Sequence, residues 1–172
     1  TNKNEFLKHM NKLETIMSQR AKIIDEHNCR SVKNYNSRYD KKMTYIIYVL
    51  DELPQVTHDK ECSDKLKLIM QKCRSYGIYF ILATQDATKD TIGKCKMNCS
   101  QTVGFRTRDT TDSKTLINNE ILETIRVRGR CFIDNSEGME ETQIFYVSEE
   151  QIEDLLKGKL KEKYKQLQEQ EG

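Results

Sequence analysis

A run of apolar and β-branched residues, Tyr45-Ile46-Ile47-Tyr48-Val49-Leu50, stops abruptly at two adjacent carboxylates, Asp51 and Glu52. The run reads as a buried strand that delivers acid to the edge of a sheet. In α/β proteins, ligands bind at the carboxyl ends of parallel strands, so both acids would emerge where chemistry is usually done. The pattern has the form of a Walker B element: the first acid holds Mg²⁺, usually through water, and the second orients and polarises the water that attacks a γ-phosphate. A strand that simply ends in a solvated acidic turn would have the same residues, and this motif alone does not separate the two.

A second run, Gly77-Ile78-Tyr79-Phe80-Ile81-Leu82-Ala83, ends in Thr84 and Gln85. Between the runs, Leu66, Ile69, Met70 and Cys73 recur at helical spacing over residues 64–76. Strand, crossover helix and strand make a βαβ unit, whose right-handed crossover sets the strands parallel and covered by helices on both faces. Asp51, Glu52, Thr84 and Gln85 would then share one edge. Gln85 there can sense a γ-phosphate or position water, or else cap the following turn.

The 172 residues, 36% of them hydrophobic, suit one domain with a sizeable core. The 33% charged content, a single Pro and a mean hydropathy of −0.79 describe a well-solvated surface without long disordered linkers. No apolar run approaches the length of a membrane span and no signal peptide is visible, so a cytoplasmic chain that does not itself insert into a membrane is expected. A net charge of +2 is too small for a strongly basic nucleic-acid module, although several copies around one channel could concentrate it. Six cysteines and three histidines lie scattered without a ligand rhythm, which favours reduced thiols over zinc or a disulfide framework.

Phe6, Met10, Leu13, Ile16, Met17, Ile23 and Ile24 form one stripe, which predicts a helix over residues 5–27 packed on the sheet. Residues 28–42 read as a polar, locally basic loop anchored by Tyr35 and Tyr39, and residues 86–100 as a loop with a short helix. Thr102 to Arg108 reads as a third strand and residues 112–118 as a helix opening. Cys131-Phe132-Ile133 and Thr142 to Val147 read as two strands about a turn at residues 135–138. Ser148-Glu149-Glu150-Gln151 has the capping-box form, starting a helix with Ile152, Leu155 and Leu156 inward. Residues 157–172 are mostly charge and Gln, read as a solvated helical extension.

Taken in order, Met17-Ser18-Gln19-Arg20, Val32-Lys33-Asn34-Tyr35-Asn36, Tyr45 to Glu52, Arg74 to Ile78, Ile81 to Gln85, Gly104-Phe105-Arg106 and Asp112-Ser113-Lys114-Thr115 resemble the later half of the FtsK/SpoIIIE motor domain. The likeness covers about residues 5–150, and it looks most like translocases of Gram-positive conjugative and integrative elements. It implies an α/β, three-layer, partial RecA-like domain of the P-loop NTPase class, with a mostly parallel sheet, a β-hairpin or edge strands near the C-terminus, and terminal helices. Residues 1–150 would be the motor portion and residues 151–172 an extension. By resemblance the intact protein hydrolyses ATP with Mg²⁺ to move double-stranded DNA, as a homo-oligomeric, hexameric ring whose membrane anchor, if any, lies outside this chain. Glu52 and Gln85 would be catalytic, Asp51 would reach Mg²⁺ through water, and Thr84, Arg106 and Arg108 would face nucleotide, the arginines from a neighbouring subunit.

No Gly-x-x-x-x-Gly-Lys-Ser/Thr occurs, so the phosphate-cradling loop is absent from this sequence. In the family that loop lies well upstream of Walker B, and the chain is therefore expected to be a motor fragment that alone binds ATP poorly. The sequence also departs from the family at Asp86-Ala87, where Arg-Pro is usual, and at Lys114, where Arg is common and a bidentate fork is lost. Two further readings stay open: an EssC-like type VII secretion ATPase that moves protein, and a non-catalytic module that keeps the fold.

Overall fold

The computed structural model describes residues 2–157, and in it the first apolar run forms β1 (Ile46–Leu50) and the second β2 (Ile78–Leu82). They pair in parallel and in register, Ile46 opposite Ile78 through Leu50 opposite Leu82. Their crossover contains α3 (Pro54–Thr57), α4 (Lys60–Met70) and a one-turn 3₁₀ helix (Cys73–Tyr76). The crossover helix starts four residues before the apolar spacing suggested, because Asp59 caps it by accepting from the Cys62 amide at 3.0 Å.

The amphipathic N-terminal stretch is α1 (Lys3–Glu26), capped by Asn2. Its buried Phe6, Met10, Leu13 and Met17 join Leu66, Ile69 and Met70 of α4 and Leu50 and Ile78 of the strands in the main core. Ile46, Tyr48, Phe80 and Leu82 lie on that covered face. The alternate residues Tyr45, Ile47, Val49, Tyr79 and Ile81 are exposed, Ile47 and Val49 at 62%. Among the described residues, helices thus cover one face of the parallel pair, where the sequence predicts cover on both.

Arg20, a charge outside the apolar stripe of α1, donates to the carbonyls of Tyr76 (2.5 Å) and Thr44 (2.6 Å), pinning the entries of both strands. Residues 28–42 are not all loop: α2 (Val32–Arg38) forms because Ser31 accepts from the Asn34 amide and Val32 and Tyr35, three apart, are both buried. The Asn36 side chain then makes two bonds to the Met43 backbone, 2.8 Å to its amide and 2.9 Å to its carbonyl, aiming the chain into β1.

Gly77 enters β2 with φ +69°, and a Cβ there would meet Val32 Cγ1 at 2.9 Å. Gly77→Ala should therefore lose about 1–2 kcal/mol to the left-handed backbone, plus the cost of that clash, read as a lowered midpoint in thermal unfolding.

After α5 (Lys89–Lys96) come β3 (Gln101–Gly104), α6 (Thr110–Ile117), β4 (Arg130–Asn135) and β5 (Gly138–Gln143). These three strands form a separate antiparallel sheet in the order β3-β4-β5. Among the described strands only β1 and β2 pair in parallel, and β4 runs antiparallel to both its neighbours, to β5 through the tight turn that joins them. Gly104 closes against a small second core of Ile117, Leu122 and Ile125, with room for no Cβ beside Leu122. The third strand stops there, short of Arg108. The hairpin strand ends at Gln143, earlier than predicted, and Ile144 to Val147 lie exposed beyond it.

The capping box forms as predicted and opens α7 (Glu149–Leu156). Ile152, Leu155 and Leu156 do not point inward, since all three are exposed. The extension over residues 158–172 lies outside the described residues. None of the six cysteines forms a disulfide, and four of them are buried.

At the N-terminal end of α4, Lys3 bridges Asp59 (2.8 Å) and Glu61 (2.9 Å). The Lys3 bond, followed by the Cys62 amide, draws Asp59 from 3.8 down to about 2. Because the folded value is the lower, this contribution is complete above the unfolded value and is lost as pH falls from 3.8 through about 2. Urea midpoints of the parent and of Asp59→Asn should therefore converge across that window. High salt should shrink the difference, since the pair faces solvent.

Candidate active site

Because β1 and β2 run parallel in register, their carboxyl ends come out side by side. Two backbone bonds extend the pairing past the strands, from the Ala83 amide to the Leu50 carbonyl (2.8 Å) and from the Leu53 amide to the Ala83 carbonyl (3.0 Å). The tips are thus held together where the acids and the glutamine leave the sheet. Across them Gln85 Nε2 donates to Glu52 Oε1 at 3.1 Å, joining two residues 33 positions apart in the chain.

Asp51 is exposed at the tip, Glu52 half-buried and Gln85 exposed. The Thr84 hydroxyl is engaged locally, donating to the Asp86 carbonyl (2.9 Å) and accepting from the Asp86 amide (3.0 Å). Arg106 and Arg108 lie exposed in the segment after β3, on the other sheet, and neither guanidinium has a hydrogen bond or ion pair among the described residues. Proximity therefore joins Asp51, Glu52 and Gln85, with Thr84 in the adjoining turn, and no hydrogen bond or ion pair among the described residues ties the two arginines to them.

A cavity of 420 Å³ opens beside the acids, lined by Glu5, His9, Tyr48, Asp51, Glu52 and Gln55 among others. Glu5 and His9 come from the first turns of α1, and the sequence offered no sign of their approach beyond their i, i+4 spacing. Tyr48 lies with its hydroxyl 3.5 Å from His9 Nδ1, and burial, then the charge of Glu5, raise its pKa. A larger cleft of 640 Å³ lies between β2 and β3, with Ile78 to Thr84 on one side, Ser100 to Val103 on the other and Met70, Cys73, Ile92 and Cys95 among its lining residues.

Among the described residues no group of three or more His, Cys, Asp or Glu side chains is placed to hold a metal ion. Mg²⁺, which keeps its waters, would need only one or two carboxylates such as Asp51 where nucleotide phosphates supply the rest. Asp51, exposed and without a hydrogen-bond partner among the described residues, is free to receive such a water.

No family model matches the chain. It is 31% identical over 153 residues to the DNA translocase FtsK of Leptospira interrogans, covering 81% of this chain and 16% of that protein. It is 30% identical over 142 residues to FtsK of Lactococcus lactis (75% and 19%), and 25% identical over 171 residues to FtsK of Staphylococcus aureus (91% and 22%). The chain thus spans less than a quarter of the length of these curated relatives. In fold it matches the pCW3 conjugation coupling protein TcpA, solved with ATPγS, with a TM-score of 0.78 at 21% identity over 87% of this chain and 46% of that one. It matches ATPases 2 and 3 of EssC from Geobacillus thermodenitrificans with a TM-score of 0.79 at 20% identity over 95% and 33%. Among the described residues no helix is long and apolar enough to cross a membrane. The resemblance read from the motifs therefore holds: this chain has an α/β fold shared with P-loop ATPase domains and is similar, over most of its length, to a segment of the FtsK DNA translocases.

Proposed function

We propose that this chain supplies the acid half of an ATP-hydrolysing site in a motor that moves double-stranded DNA, as in conjugative transfer. The observation that carries this reading is the 3.1 Å bond between Gln85 and Glu52 across two parallel strand tips, with Asp51 adjoining and unpaired among the described residues. Bound nucleotide with its Mg²⁺ would supply the phosphoryl group and much of the charge that neutralises it. Asp51 would hold that ion through a water. Glu52 accepts the proton of the attacking water, and Gln85 holds the Glu52 carboxylate in place and registers whether the site is filled.

Residues 1–150 form the motor portion on this reading, and the amides that cradle phosphate come from polypeptide beyond this sequence. Two features support that division. Parallel sheets are almost always covered on both faces, yet Tyr45, Ile47, Val49, Tyr79 and Ile81 leave one face of β1 and β2 bare. The cleft between β2 and β3 also interrupts what would otherwise be one sheet. Arg106 and Arg108, exposed and unpaired among the described residues, are available to a neighbouring subunit's nucleotide in a hexameric ring.

The test is ATP turnover of the intact motor with and without linear duplex DNA. Turnover should rise with duplex, and DNA affinity should fall steeply with salt, as phosphate neutralisation requires. The fold shared with EssC makes a protein cargo the specific rival. Turnover indifferent to duplex DNA but stimulated by a secreted polypeptide would favour it.

A further inference from the structure

The loop carrying Gln85 is anchored on both sides, and only the upstream anchor belongs to the sheet. Upstream, the Ala83 backbone is bonded to Leu50 and Leu53. Downstream, the Asp86 carboxylate gathers three donors. Its Oδ1 accepts from the Thr88 amide (3.1 Å), and its Oδ2 accepts from the hydroxyls of Thr91 (2.7 Å) and Thr88 (3.2 Å). Thr91 is fully buried in α5, next to Ile92, a residue of the main core. The Asp86 backbone is in turn closed onto the Thr84 hydroxyl by bonds in both directions. Gln85 is the single residue between these two partners.

We propose that Asp86 is a positioning residue for Gln85: its carboxylate fastens the strand-tip loop to the buried Thr91 of α5, and so fixes the direction from which Gln85 reaches Glu52. The proposal rests on the nucleotide reading for its catalytic consequence, but the contact itself is measurable without nucleotide. A helix cap alone would explain the bonds to Thr88 and Thr91, since the Thr88 side chain makes no cap bond of its own. Here cap and turn share one residue: the Asp86 backbone closes onto the Thr84 hydroxyl around Gln85 while its carboxylate holds α5. Asp86 stands where the resembling family usually has Arg, and the geometry gives that departure a use. A carboxylate offers lone pairs to three donors, which an arginine cannot.

The test follows the Gln85 side-chain amide by ¹⁵N NMR in the 172-residue chain, with Glu52→Ala as the reference for a broken contact. In Asp86→Ala the Gln85 resonances should move to the Glu52→Ala positions. In Asp86→Asn, which keeps the acceptor for the Thr88 amide, they should stay nearer the parent. Ile125→Val, in the separate small core, controls for general destabilisation and should leave them unmoved. If Asp86→Ala does not fold, Thr91→Ala removes the buried partner and must give the same displacement.

In the intact motor, Asp86→Ala should lower kcat about 10- to 100-fold through misplacement, with KM for ATP nearly unchanged. A Gln85 amide left at the parent position while Tm falls would overturn the proposal, reduce Asp86 to a helix cap and leave the nucleotide reading standing. A displaced amide together with undiminished turnover in a Glu52→Gln motor would do the reverse: the positioning contact would stand and the nucleotide reading would fall.

Discussion

Glu52→Gln in the intact motor should lower ATP turnover about 10²- to 10⁴-fold, the range typical of a lost general base, while duplex DNA binding changes little. The substitution keeps length and shape, and the amide oxygen at position 52 can still accept from Gln85 Nε2 as the carboxylate does at 3.1 Å. It removes the charge and the basicity that draw a proton from water. Glu52 lies at a strand tip outside both core clusters, so the fold should be untouched. Single-turnover phosphate release would isolate the chemical step, and that step alone should slow. A module that merely retains the fold would show no turnover to lose and would keep its partner binding.

Phe6→Ala carries the largest expected loss of stability, about 3–5 kcal/mol for a buried phenylalanine truncated in a closed core. Phe6 is 1% exposed and sits in the cluster that joins α1 to α4 and to the covered face of the parallel pair. Urea unfolding should show a lower midpoint with little change in slope, the sign of lost stability without a change in the surface exposed. Ile23→Ala, on the same helix but at a residue 36% exposed, should stay within about 0.5 kcal/mol. The contrast matters for the site as well as for the fold, because the N-terminal turns of α1 also bring Glu5 and His9 to the cavity beside the acids.

The strands that carry the site are readable because a six-residue apolar run closed by polar residues leaves few alternatives to a strand, and a helix between two such runs dictates parallel pairing. That pairing brings the strand tips carrying Glu52 and Gln85 to one edge, and the loop beyond Ala83 sets how the two side chains meet. Other features were beyond a linear reading because they depend on partners distant in the chain. Arg20 reads as a surface charge until the carbonyls of Thr44 and Tyr76 arrive beside it. Residues 28–42 read as loop because two buried side chains, Val32 and Tyr35, are too few to set a helical period against so much polarity.

The inward face assigned to α7 shows the opposite failure. Its spacing was read correctly, but periodicity reports which side of a helix is apolar and not what covers it. The same applies to β1 and β2, whose uniformly apolar sequences signal two covered faces although this chain covers one. Asp86, finally, looked like a mere departure from a motif. Its three donors come from residues two and five positions on, and they converge only when the strand tip and the first turn of α5 are both in place.

The central claim is that Asp51 and Glu52 are the acid half of a nucleotide site, and the most direct measurement is the Mg²⁺ dependence of ATP affinity in the intact motor. Mg²⁺ should strengthen ATP binding by the parent protein, and Asp51→Ala should abolish that increment while leaving metal-free binding in place. The same Mg²⁺ enhancement in the variant as in the parent would contradict the account and make the acid pair a solvated strand end.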